Sequence, residues 1–202
     1  MTLSTIIFDF GGVLLRTEDY APRRRWEEKF GLAAGTLEAF MFNSPVSRDA
    51  QLGKITWETA WQTAAAHFHV SVDEIRRAQQ DFFAGDVLDR KLAAYLRRLK
   101  PHFTIGLLSN TWFRNGQTLL LQYGIADAFH FSVTSAELGV MKPDARIFEA
   151  ALARANAQPA ETVFVDDAAE NVAAAHALGM HAIRFTDTDA VIAQLVRLTG
   201  IR

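Results

Sequence analysis

The sequence of 202 residues is 50% hydrophobic, carries a net charge of −2 and has no cysteine. That is enough apolar material for one sizeable core, or for a core and a small accessory domain. The charge balance lacks the basic face that nucleic-acid or acidic-membrane partners need, and the missing cysteine excludes disulfides and thiolate chemistry.

The N-terminus has no basic n-region. Its apolar run is too short for a signal peptide or a membrane span, so a cytoplasmic protein is expected. The first element is a strand over roughly 4–9, Ser4-Thr5-Ile6-Ile7-Phe8, ending at Asp9. This carboxylate precedes Phe10-Gly11-Gly12-Val13-Leu14. A carboxylate at a strand end before paired glycines faces a crevice, which is where open α/β sheets bind ligands.

From about residue 16 to 84 the pattern is helical, with no strand expected. Trp57 and Trp61 lie one turn apart and are expected to pack together inside. Ser71-Val72-Asp73-Glu74 is a capping box opening a helix over 71–84. Arg23-Arg24-Arg25 reads as a solvated helix face. His67 and His69 point to different sides of a helix and make a poor metal pair. Such an insertion of about 70 residues is too long for a βα connection and reads as a small helical cap over the sheet's C-terminal edge. Arg16, Thr17 and Glu18, at its entrance, read either as pocket lining or as a surface turn.

Beyond it, a helix is expected over about 86–99, with Leu88, Leu92, Tyr95, Leu96 and Leu99 on one face. Strands follow over roughly 103–108 and 129–134. A helix then starts at Pro143 with Ile147, Phe148, Ala151 and Leu152 facing inward. A strand over 162–166, a helix over about 168–178 and a strand over 180–185 complete the chain. None of the five strands alternates polar and apolar residues, as expected of parallel strands buried on both faces. The expected fold is α/β: a doubly wound, mostly parallel five-stranded, Rossmann-like sheet. Residues 1–15 and 86–202 would form the core and 16–85 the helical cap.

Four elements fall at or just beyond predicted strand ends: Asp9, Ser109-Asn110, Lys142-Pro143 and Asp166-Asp167. Singly, each reads as a cap, a turn or a solvated charge. Together, three carboxylates without a cysteine favour a hard divalent cation such as Mg²⁺, which takes oxygen ligands. A lysine beside them can neutralise a phosphate, and a serine hydroxyl with nearby backbone N–H groups suits phosphate oxygens. An aspartate can itself attack phosphorus. Trp112, three residues after Ser109, either borders this site or packs.

Ile7-Phe8-Asp9-Phe10-Gly11-Gly12-Val13-Leu14, Leu107-Leu108-Ser109-Asn110, Gly139-Val140-Met141-Lys142-Pro143-Asp144 and Val163-Phe164-Val165-Asp166-Asp167, followed by Glu170-Asn171-Val172, resemble the four ordered motifs of the haloacid dehalogenase-like (HAD) hydrolases. The insertion, with its Leu52-Gly53-Lys54-Ile55-Thr56 segment, is similar to the small cap of subfamily I. The resemblance implies that Asp9 is nucleophile and metal ligand, and that Ser109 binds the phosphoryl group with Asn110 nearby. It implies that Lys142 bridges the phosphate and Asp9. Asp167 would bind Mg²⁺ directly, Asp166 directly or through water, and Gly11 through its backbone carbonyl. Most members are phosphatases, so the implied activity is Mg²⁺-dependent hydrolysis of a small phosphorylated metabolite, such as a sugar phosphate, through an aspartyl-phosphate.

The sequence departs from that pattern at Gly11. Many phosphatases of the family carry a second Asp there, which protonates the leaving group and then activates water. Such acid–base catalysis contributes about 10²–10⁴-fold. Either another group supplies the proton, or the leaving group has a low pKa, or the chain is a slow enzyme or a binding protein. Dehalogenases of the family, which need no metal, also lack this Asp. Against that alternative stands the Asp166-Asp167 pair, which without a cation would repel both the nucleophile's charge and a carboxylate substrate.

Overall fold

The computed structural model describes residues 3–201. In chain order its elements are β1 (Thr5–Phe8), β2 (Leu15–Thr17), α1 (Ala21–Lys29), α2 (Thr36–Asn43), α3 (Pro45–Gln51), α4 (Trp57–Phe68), α5 (Val72–Asp81), β3 (Asp86–Leu88) and α6 (Arg90–Leu99). There follow β4 (Thr104–Ser109), α7 (Gly116–Gln122), β5 (Phe131–Thr134), α8 (Ser135–Leu138), α9 (Ala145–Ala155), β6 (Thr162–Asp166), α10 (Ala169–Ala177), β7 (His181–Arg184) and α11 (Thr188–Thr199).

Five strands form one parallel sheet in the order β5-β4-β1-β6-β7. Side chains alternate across it, so both faces need apolar residues. Ile6, Phe8, Ile105, Leu107, Val163 and Val165 pack on one face, with Leu92 and Leu96 of α6 and Leu195 of α11. Ile7, Leu108, Val133 and Phe164 pack on the other, with Ile147 and Phe148 of α9 and Ala175 of α10. This double burial is why the strands read as unbroken apolar runs, and the expected doubly wound α/β fold is present. Because β4 and β6 flank β1, the chain reverses its direction of travel across the sheet beside β1. Asp9 therefore emerges at a topological switch point.

Helices α1 to α5 surround a separate apolar cluster that includes Leu37, Met41, Trp61, Ile75 and Phe82. Their starts are capped as the residues dictate. The Ser71 hydroxyl accepts from the Glu74 N–H at 3.2 Å and donates to the Glu74 carboxylate at 2.8 Å. No helix among the described residues is long and apolar enough to cross a membrane.

The structure corrects three local expectations. Residues 86–88 are not helical: Asp86, Val87 and Leu88 pair antiparallel with Thr17, Arg16 and Leu15. The helix begins at Arg90, with Asp89 as its N-cap accepting from Leu92 N–H at 2.8 Å. The segment from 16 onward likewise contains strand residues, Arg16 and Thr17, where none was expected. Both expected domain boundaries fall at this two-stranded ribbon. Third, α9 starts at Ala145 rather than Pro143, because the Asp144 side chain takes the N-cap position and accepts from Arg146 N–H at 3.0 Å.

Candidate active site

Asp9 stands one residue beyond β1. Its own N–H extends the pairing with β6, donating to Val165 O at 2.9 Å. The chain then turns tightly, with Leu14 and Leu15 N–H both returning to Phe10 O. Gly12 sits in this turn at φ +78°. A Cβ there would lie 2.2 Å from Asp167 Oδ2, so the turn and the Asp167 side chain share space that only glycine leaves open.

Lys142 is the hub of the site. Its Nζ is 2.8 Å from Asp9 Oδ1 and 2.6 Å from Asp166 Oδ2, and its side chain is 1% exposed. Asp166, the last residue of β6, is completely buried. Its Oδ1 accepts from Ala168 N–H at 2.8 Å and from Asn171 Nδ2 at 3.0 Å, and its Oδ2 accepts from Asn171 Nδ2 at 3.1 Å. Asp9, Asp166 and Asp167 each offer a carboxylate oxygen, and these atoms lie within 4.8 Å of one another.

The electrostatics follow from that crowding. Burial raises the Asp9 pKa to about 7, with the Asp166 carboxylate adding to the rise and Lys142 opposing it. Burial also raises Asp167, again reinforced by Asp166. Burial alone would lower Lys142, but Asp9 and Asp166 outweigh it and hold its ammonium above the ordinary range. Three carboxylates thus face one buried ammonium, and the anionic form of Asp9 is short of positive charge. An all-oxygen donor set in that state fits a hard divalent cation such as Mg²⁺.

Ser109 ends β4 and is nearly buried, in register with Thr134 of β5. Ser109 and its neighbour Asn110 line one cavity. Both ends of the Asn110 carboxamide are engaged by the Lys142 backbone: Lys142 N–H donates to Oδ1 at 2.8 Å, and Nδ2 donates to Lys142 O at 3.0 Å. The Asn110 side chain thus clamps the segment that carries the lysine. Ser135 similarly anchors the loop after Ser109, accepting from Thr111 N–H at 2.9 Å and donating to Thr111 O.

The sites Ser109, Asn110, Gly11 and Asp167 open onto a chamber of about 1010 Å³ between the strand ends and helices α1 to α5. Arg16 and Thr17 line it too. Arg23 also lines it and is buried, correcting its reading as a solvated face. Its guanidinium meets Asp86 at 2.8 Å, Glu38 at 3.1 Å and Phe82 O at 2.9 Å, while Arg24 and Arg25 are exposed. Trp61 packs inside, but Trp57 faces the chamber and stacks on Trp112, with ring centroids 3.6 Å apart. His67 stacks on Phe40, while His69 ends α4 with a left-handed backbone. Sequence reading gave Asn171 no role; its signal was its place five residues after Asp166, in the first turn of α10.

A family model, haloacid dehalogenase-like hydrolase, matches residues 3–179. The chain belongs to that family. Bifunctional epoxide hydrolase 2 of Sus scrofa is 28% identical over 221 residues, covering 100% of this chain and 40% of that protein. The HAD-like chain thus spans about two fifths of the length of the first curated relatives it matches. Sesquiterpene phosphatase astK of Aspergillus oryzae is 27% identical over 200 residues, covering 98% of each chain. Among solved structures, a HAD family enzyme of Bacteroides thetaiotaomicron, in complex with magnesium and inorganic phosphate, superimposes with a TM-score of 0.77. It is 20% identical, and the match covers 94% of this chain and 98% of that one. At that identity the likeness speaks for the HAD fold.

Proposed function

We propose that this chain is a Mg²⁺-dependent phosphomonoesterase that acts on a small phosphorylated compound through an aspartyl-phosphate. The observation that carries this reading is the position of the Lys142 ammonium, within 2.8 Å of both Asp9 and Asp166, beside a three-carboxylate cluster and the Ser109 strand end. The phosphatase activity of one full-length relative and the magnesium and phosphate held by a structural neighbour support it.

Asp9 is the nucleophile. A carboxylate oxygen attacks phosphorus, the ester P–O bond breaks, and the alcohol leaves with a proton. Water then cleaves the acyl phosphate, restoring Asp9 and releasing inorganic phosphate. Lys142 favours the ionised form of Asp9 against its burial, orients it and meets the phosphoryl charge, with Asn110 fixing its backbone. The Ser109 hydroxyl and the N–H groups that follow it receive phosphoryl oxygens. Asp166, held by Asn171 and Ala168, positions Lys142. Mg²⁺ held by Asp9, Asp167 and the Gly11 carbonyl, with Asp166 bound directly or through water, would supply the positive charge that the three carboxylates lack and polarise the phosphoryl group. Helices α1 to α5 act as a cap, closing a chamber that admits small esters and excludes phosphoproteins.

Gly11 brings no acid, so the leaving oxygen takes its proton from elsewhere and rates favour leaving groups of low pKa. A metal-independent dehalogenase is disfavoured, since its carboxylate substrate would bring a fourth negative group to a site with one ammonium. Purified protein should release phosphate from an aryl phosphate with Mg²⁺ and stop when the metal is chelated. Halide release from a 2-haloacid under chelation, with no phosphate release under any condition, would overturn the reading.

A further inference from the structure

We infer that the chamber beside Asp9 takes the phosphate monoester of a bulky, uncharged, apolar alcohol rather than that of a sugar. The inference rests on the phosphatase reading of the site and deepens it. Six half-buried aromatic side chains line the chamber: Phe42, Trp57, Phe83, Trp112, Phe113 and Tyr123. Ser109 and Trp112 line the same chamber, so the alcohol of an ester bound at Ser109 would share that space with the ring. Trp57, reaching in from α4, stacks flat on Trp112 with an interplanar angle of 7° and extends the same wall. Phe83 adds a third ring, 5.8 Å from Trp112 and 6.3 Å from Trp57. One side of the wall comes from the sheet's loops and the other from the helical segment.

The chamber's charges do not suit a second anionic group. Arg16 is paired with Asp89 at 2.9 Å, and Arg23 is committed to Asp86 and Glu38. Gln51 is turned to Ser47 at 2.9 Å. Of the other polar side chains that line it, Glu58, Arg76, Gln80 and Gln122 are exposed and Gln79 is half-buried. A sugar needs several aimed donors and acceptors, whereas this wall offers aromatic faces in a volume at the upper end of small-molecule sites, roughly 300–1,000 Å³.

The test is a chain-length series. Burying each methylene is worth about fourfold in affinity or in kcat/KM. With Mg²⁺, kcat/KM for n-alkyl phosphates should climb by up to that factor per carbon and exceed that for glucose 6-phosphate. Independently, n-alkanols should quench tryptophan fluorescence with affinity rising along the series, and the rise should flatten in Trp112→Ala and in Phe42→Ala. Turnover with a flat or falling chain-length profile, or alkanol affinity independent of length, would overturn the inference. Length-dependent alkanol binding without turnover of any ester would leave this wall standing and sink the phosphatase reading instead.

Discussion

Asp9 is a carboxylate that the fold makes costly to ionise, and that cost separates its stability role from its chemical one. Its pKa, raised by burial to about 7, means that the folded metal-free protein binds a proton that the unfolded chain has lost. Stability from this group is therefore full below about pH 4 and declines as pH rises through about 7. Mg²⁺ competes with that proton, so the rise in Tm on adding Mg²⁺ should be larger at pH 8 than at pH 5. Asp9→Asn should raise Tm in metal-free buffer at pH 8 while abolishing turnover, the trade expected of a strained active-site group. An equal Mg²⁺ shift at both pH values, or a lower Tm for the variant, would contradict this electrostatic account.

Gly11 makes the converse case. A Cβ there meets nothing within 4 Å, so Gly11→Asp starts its side chain in open space. The variant should speed hydrolysis of alkyl phosphates, by as much as about 10²–10⁴-fold, and leave p-nitrophenyl phosphate little changed. Unchanged alkyl rates would show that another group already delivers the proton.

Among the elements, the five core strands were legible because both of their faces are buried and their residues form unbroken apolar runs. The ribbon of β2 and β3 was not. Each strand has three residues and owes its conformation to a partner about 70 positions away, so no local period marks it. Residues 86–88 were absorbed into the periodicity of α6 for the same reason. Arg23 escaped in the same way: three consecutive arginines look solvated, and only the return of the chain at Phe82 and Asp86 shows that the first is enclosed. Arg23→Ala would leave Asp86 and Glu38 facing each other without their cation, in a setting where burial already raises Asp86. Loss of one partner from a buried ion pair costs about 3–5 kcal/mol. Urea unfolding should show a loss of that order for Arg23→Ala and almost none for Arg24→Ala.

On the scale of the whole molecule, the fold converts four motifs scattered from Asp9 to Asp167 into one site by ending β1, β4 and β6 at the same edge. Three of those motifs could be read in the sequence because they sit at the ends of β1, β4 and β6, whereas Lys142 lies in the loop between α8 and α9. The tasks of Asn110 and Asn171 could not, because a carboxamide next to a motif residue has several partners open to it until the loops are folded. The aromatic wall was hidden as well, since its rings come from segments as far apart as Phe42 and Tyr123. Phosphoryl transfer to Asp9 at this edge can be tested by acid-quenching the protein during Mg²⁺-dependent turnover of a radiolabelled phosphate ester. Label is expected on the peptide that contains Asp9 in the wild type and nowhere in Asp9→Asn. Phosphate release without label on that peptide, or with label on another residue, would contradict it.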